Sequence, residues 1–227
     1  MTVFSGRGVM VAQADSFPLS VAGPRMQRAR MGRLELQLWS GQPLNTGMPQ
    51  AQLQQYLGGG LTVTGWSVHR PGEDHGAVMA AIRTTWPGTE IAGLNMNIEA
   101  GWFLEPGQQW DPFPAISLEH AALLAAAKDA FGVDFPLAVT IIPAKVYPFG
   151  MWEGAIDDFF VELYDGSCRP LGNADYQWAL TLAQTDAAQI ARSRVHPCVV
   201  WEQLPGYQPG DEILLFDSDR TPDEAYR

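Results

Sequence analysis

The chain has 227 residues, 46% hydrophobic and 17% charged, and a formal net charge of −11 from 25 acidic against 14 basic side chains. That composition suits a folded chain with a substantial core, and no apolar run approaches the roughly 20 residues needed to span a bilayer. A field this negative repels a phosphate backbone, which argues against nucleic acid as a direct ligand and favours a basic protein or a cationic small molecule as partner.

In chain order, GVMVAQA (8–14), LELQLW (34–39), LTVTGWSV (61–68) and IAGLNMNIEA (91–100) read as strands, bounded by Gly, Pro and Asn. Between them, PQAQLQQYL (49–57) followed by Gly58, Gly59 and Gly60 reads as a helix with a glycine exit. Residues 74–86, with Val78, Ile82 and Trp86 four apart, read as another. The clearest helix is SLEHAALLAAAKDAFG, with Ser117 as cap, Leu124, Ala127 and Phe131 on one face and Gly132 at its end. Then come strands at AVTIIPA (138–144) and FFVELYD (159–165), a helix within 174–193, and strands at CVVWEQL (198–204) and EILLF (212–216).

This order is mixed and shows no sustained alternation of strand and helix. The expectation is therefore an α+β fold with a mixed or mainly antiparallel sheet and a few packed helices. VMVAQADSFP (9–18) echoes VTIIPAKVYP (139–148), and LELQLWSG (34–41) echoes FFVELYDG (159–166), each of the latter followed closely by Pro-Leu. Two related halves, 1–110 and 111–227, sharing one sheet would produce that pattern.

The segment EILLFDSDRT (212–221) resembles the opening motif of the haloacid dehalogenase superfamily, an apolar strand followed by DxDxT. The resemblance implies a nucleophilic Asp217 and an acid/base Asp219 beside magnesium. In that superfamily the rest of the catalytic domain follows the motif, whereas eight residues follow Asp219 here. The segment is read instead as a closing strand entering an acidic tail.

The densest set of potential ligands is HRPGEDHG, which offers His69, Asp74 and His75 for a metal ion, with Glu73 as a base. The competing reading makes Pro71-Gly72 a turn, Asp74 the cap of the next helix and His75 part of its packed face. Glu153, Asp157 and Asp158 can be read as paired carboxylates for glycoside hydrolysis or as a solvated acidic loop. His120 falls on the apolar face of the best helix, and His196 precedes Pro197 with no nucleophile nearby. Neither a GxSxG elbow nor a phosphate-cradling glycine loop is present.

Eight tryptophans are many for this length, and Trp102, Trp110 and Trp152 stand in Pro/Gly-rich contexts suited to a recognition surface. Cys168 and Cys198 lack a paired spacing and read as reduced thiols, and Gln13 and Asp15 interrupt the apolar amino-terminal stretch too early for a secretory signal. The resulting expectation is a non-catalytic, cytoplasmic bacterial protein without cofactor. It would bind a protein partner in the manner of immunity proteins or chaperones, through Trp102, Trp110, Trp152, Glu153, Asp157 and Asp158. The alternatives are a metal-dependent hydrolase using His69, Asp74 and His75, and a small-molecule binder using the tryptophan loops.

Overall fold

The computed structural model describes residues 2–12, 19–46, 50–86, 91–99, 101–105, 113–148, 150, 152, 154–165, 167–187, 194–206 and 212–217. Eight strands follow one another around a ring: β1 (Gly8–Val11), β2 (Arg33–Ser40), β3 (Thr62–His69), β4 (Leu94–Ile98), β5 (Leu137–Ile141), β6 (Asp158–Glu162), β7 (Val195–Val199) and β8 (Leu214–Asp217). Every neighbouring pair is parallel, and β8 pairs with β1, so the sheet closes into a barrel. Five α-helices lie in the connections: α1 (Leu19–Arg28), α2 (Gln50–Gly58), α3 (His75–Thr85), α4 (Phe113–Phe131) and α5 (Ala174–Ala187). Among the described residues no α-helix separates β5 from β6, and only a 3-10 turn, Trp201–Gly206, lies between β7 and β8. This is a (β/α)8 barrel with two of its helices missing from the described connections.

The expected α+β fold with a mixed or antiparallel sheet is therefore overturned, for a reason visible in β4. Its sequence, LNMNI, alternates like a strand with one solvated face, yet all five residues are buried. Leu94, Met96 and Ile98 join the larger apolar cluster, which is packed between the barrel wall and the helices. Asn95 and Asn97 point the other way, into the barrel. Polar residues turned toward a closed interior give the same period-two pattern as polar residues turned toward water.

A smaller apolar cluster, Phe4, Met10, Trp66, Ala138, Phe160, Cys198 and Leu214, fills part of the barrel interior. Buried polar side chains occupy much of the rest, and several of them bond to one another. Arg33 Nε donates to Glu35 Oε1 at 2.9 Å, Asn95 Nδ2 donates to Glu35 Oε2 at 2.9 Å, and Thr140 Oγ1 donates to Asn95 Oδ1 at 2.9 Å. Arg33 Nη1 also donates to the carbonyl of Phe4, a residue that plugs the amino-terminal end of the barrel.

Helix α1 escaped the sequence reading because it contains Gly23 and Pro24, residues that usually interrupt a helix. It ends as many helices do, with Arg30 in the left-handed region (φ 55°) and the Met31 amide donating back to the Met26 carbonyl at 2.8 Å. The helix expected to begin at Ser117 starts at Phe113 and ends where expected: the Gly132 amide donates to the Lys128 carbonyl and Gly132 has φ 102°.

Four strands precede residue 110 and four follow it, and the sheet crosses that boundary through the β4–β5 pairing. The sequence echoes fall on β1 with β5 and on β2 with β6. They carry matching geometry: Trp39 bridges Pro43 while Leu44 N donates to Leu38 O, and Tyr164 bridges Pro170 while Leu171 N donates to Leu163 O, both bonds 2.9 Å.

Candidate active site

In a closed parallel barrel the side chains at the carboxyl ends of the strands surround one mouth, and connecting loops build reactive sites there. This protein has a cleft of about 340 Å³ at that mouth, lined by Trp66 and Val68 of β3, Asn97 and Glu99 at the end of β4, and Glu162 and Tyr164 at the end of β6. It lies at the small end of the roughly 300–1,000 Å³ typical of ligand sites.

Two carboxylates meet there through one amide. Asn97 Nδ2 donates to Glu99 Oε1 at 3.0 Å and to Glu162 Oε1 at 3.1 Å. Tyr164 OH adds a second bond to Glu162 Oε1, at 3.2 Å. Both donors to Glu162 converge on Oε1, which leaves Oε2 as the oxygen able to carry a proton. Burial, reinforced by the like charge of Glu99, pushes the Glu162 carboxyl up from 4.5 to about 8, and the Tyr164 and Asn97 hydrogen bonds oppose this only in part. Glu162 therefore keeps its proton at neutral pH. The Tyr164 phenol is also held well above its ordinary value, chiefly by burial, and remains a donor.

The local sequence explains this placement. On β4 the inward set continues from Asn95 through Asn97 to Glu99, and on β6 from Asp158 through Phe160 to Glu162 and Tyr164, at the period of two that a strand imposes. Register pairs β4 with β5 and β5 with β6, so Glu99 and Glu162 reach the cleft from either side of β5.

The residues singled out from the sequence sit elsewhere. Trp102 (0% exposed) and Trp152 (1%) are enclosed around His120, with ring centroids 4.9 and 5.0 Å from the imidazole, so neither indole offers the expected recognition surface. His120 Nε2 donates to the Trp102 carbonyl at 2.7 Å, and burial lowers the imidazole to about 4. Trp110 and Glu153 lie outside the described residues, as do Asp219 and Thr221 of the EILLFDSDRT segment. Asp157 accepts the Leu137 amide at 3.0 Å. Asp158, at the start of β6, is buried at the opposite end of the barrel from the cleft. It accepts from Thr2 at 2.6 Å and lies 2.7 Å from His196 Nε2. Of the acidic group, the two described members, Asp157 and Asp158, are thus bonded within the fold.

Asp74 is the cap of α3: its Oδ1 accepts the Ala77 amide at 3.0 Å. The ligand set the structure brings together is His69, Glu73 and His75, whose donor atoms all lie within 4.8 Å of one another. Burial, and then the neighbouring His75, lowers the His69 imidazole to about 3.

No protein-family model matches the chain, and no curated protein matches it in sequence. Its fold is shared by solved glycosidases. A chitinase from Rhizomucor miehei superposes with a TM-score of 0.56 at 13% identity, covering 86% of this chain and 68% of that one. A glucosidase from Croceicoccus marinus gives 0.56 at 12% identity, over 98% and 60%. The β-glucuronidase of Ruminococcus gnavus gives 0.53 at 9% identity, over 93% and 43%. The chain thus matches between about two fifths and two thirds of the length of these structures. The non-catalytic binder expected from the sequence is corrected by these findings. The chain has a fold shared with enzymes and, at its mouth, a pair of acidic side chains gathered in a cleft, Glu162 buried and Glu99 half-buried.

Proposed function

We propose that this protein hydrolyses glycosidic bonds, with Glu162 as the general acid and Glu99 as the second carboxylate. The observation that carries the reading is the pairing of a proton-bearing carboxyl with a neighbouring carboxylate across Asn97. Pairs whose environments drive their proton affinities apart are how one site supplies acid and base at the same pH. Because both Oε1 atoms lie within hydrogen-bond reach of one nitrogen, they are at most about 6 Å apart, nearer the roughly 5–5.5 Å of retaining than the 6.5–9.5 Å of inverting glycosidases.

In this geometry Glu162 Oε2 gives its proton to the glycosidic oxygen as the bond to the anomeric carbon breaks, and the leaving sugar departs as an alcohol. The electron-poor anomeric carbon is met by Glu99, which forms a glycosyl ester. Glu162, now a carboxylate, takes a proton from the water that attacks the same carbon, releasing the second sugar and restoring both side chains. Asn97 fixes both acids throughout, and Tyr164 holds Glu162 Oε1 so that Oε2 faces the cleft. The three glycosidases that share the fold support the reading at the level of architecture alone.

The test is a panel of aryl glycosides and polysaccharides with wild type, Glu162→Gln and Glu99→Gln. Loss of the acid should cost about 10²–10⁴-fold on substrates with poor leaving groups and less on activated aryl glycosides, which need little protonation. Loss of Glu99 should depress turnover on both kinds. Turnover that survives both substitutions, or a wild type inert across the panel, refutes the proposal.

A further inference from the structure

Trp66 and Val68 of β3 face the cleft, so Ser67 and His69 face outward, toward the helices. There His69 meets His75, the first residue of α3, with ring centroids 6.3 Å apart. Both imidazoles are buried, at 1% and 5% exposure. Each commits one ring nitrogen: His69 Nε2 lies 2.7 Å from Ser67 Oγ, and His75 Nε2 lies 3.2 Å from Glu119 Oε2. The other nitrogen, Nδ1 in both rings, is buried without a hydrogen-bond partner. A buried polar atom left without a partner is unfavourable, so two in one place call for a ligand.

We propose that His69, Glu73 and His75 hold one divalent transition-metal ion, zinc foremost, through the two Nδ1 atoms and a carboxylate oxygen of Glu73. Two neutral imidazoles and one carboxylate suit zinc and its neighbours in the first transition row, whereas magnesium and calcium favour shells of oxygen alone. One potential donor atom from each of the three residues already lies within 4.8 Å of the other two. A tetrahedral zinc shell brings them to roughly 3.3 Å, so a closure of about 1–2 Å in the short loop from His69 to His75 completes the site.

The surrounding groups fit the same purpose. Metal-bound histidines are commonly oriented by a carboxylate or hydroxyl on their other nitrogen, the position that Glu119 takes on His75 and Ser67 on His69. Glu119 also accepts the Gly72 amide at 2.9 Å, which ties the loop to α4. The site lies on the outer wall, separated by β3 and β4 from the Glu99–Glu162 cleft. The ion's role is to clamp the β3–α3 loop, and it takes no part in the bond-breaking steps themselves.

The experiment is calorimetric titration of chelator-treated protein with Zn2+, alongside thermal denaturation with Zn2+ or Mg2+ and absorption spectroscopy with Co2+. Saturation at one Zn2+ per chain, a Tm rise with Zn2+ but not Mg2+, and visible Co2+ bands are expected. Glu73→Gln should weaken Zn2+ by about 100-fold or more and Glu119→Gln by about 10–100-fold. Asp74→Asn keeps the helix cap and should bind as wild type does. If chelation unfolds the protein and only Zn2+ restores it, the proposal is supported. Absence of saturable Zn2+ binding to folded wild type, or a Glu73→Gln variant that titrates unchanged, overturns it. All these readouts are independent of glycosidase activity.

Discussion

Replacing Glu162 by glutamine should remove a pH-dependent penalty on folding. Below pH 4.5 the Glu162 carboxyl is protonated in both folded and unfolded chains and contributes nothing to the pH dependence. Between 4.5 and about 8 the unfolded chain loses that proton while the folded chain keeps it, so the folded state binds more protons and stability falls as pH rises. At about 1.4 kcal/mol per pH unit, the full gap amounts to an upper limit of about 5 kcal/mol. Water entering the cleft when the group ionises reduces this, so a measured effect of about 2–5 kcal/mol is expected. In the Glu162→Gln variant the side-chain amide oxygen can still accept from Asn97 and Tyr164, so the substitution mimics the protonated acid. Urea unfolding at pH 4.5, 6, 8 and 9 should show variant and parent converging at the acid end, with the variant more stable by that amount at pH 9. Glu99→Gln removes the second-largest cause of the shift, so in that variant the Glu162 transition should lie at lower pH than in the parent but stay above 4.5, because burial persists. A stability difference between Glu162→Gln and parent that does not change with pH would refute the assignment of a buried, neutral Glu162.

Two further substitutions test the barrel that holds the site. Gly65→Ala should destabilise by about 1–3 kcal/mol or more in urea titrations, because a Cβ on Gly65 would collide with Leu38 Cδ1 inside the packed wall; a neutral result would show that this wall yields. Arg33→Met should cost about 3–5 kcal/mol, since Glu35 would keep Asn95 but lose the cation paired with it inside the barrel. The double variant Arg33→Met/Glu35→Gln should recover much of that loss, and failure to do so would show that Arg33 acts mainly through the Phe4 carbonyl.

Each of the eight strands could be located in the sequence, β7 only in part, because β-branched and apolar runs bounded by turn residues signal strands whatever sheet they enter. What could not be read was the partner of each polar face. Asn95, Asn97 and Glu99 lie within one quoted segment, IAGLNMNIEA, and Glu162 and Tyr164 within another, FFVELYD, yet nothing local distinguishes an inward carboxylate at a strand end from a solvated one. The candidate clusters taken from the sequence, His69 to His75 and Glu153 to Asp158, were compact in sequence. The acid pair is instead assembled across β5, which only the closed parallel order reveals. A signal existed nonetheless: acidic residues that end apolar strands, on the same parity as buried amides, are suited to the mouth of a barrel. Trp102 and Trp152 misled because their indoles close around His120, where they gain more by burial than by exposure.

Trp102 connects the two sites that lie on opposite sides of the barrel wall. Its backbone amide donates to the Glu99 carbonyl at 3.2 Å, its indole Nε1 donates to the His69 carbonyl at 2.8 Å, and its ring lies 5.5 Å from that of His75. One fully buried residue thus ties together, through its backbone amide and its indole, the backbone of a cleft carboxylate and that of His69. A clamp that immobilises the loop from His69 to His75 therefore limits how far the end of β4 can move. A site built on two carboxylates sharing one amide loses its geometry when either backbone shifts by an ångström. Trp102→Phe keeps the aromatic packing and removes only the bond to His69. The reasoning requires it to loosen both Zn2+ binding and the Glu162 transition, since a purely local role for the indole would disturb one and leave the other unchanged.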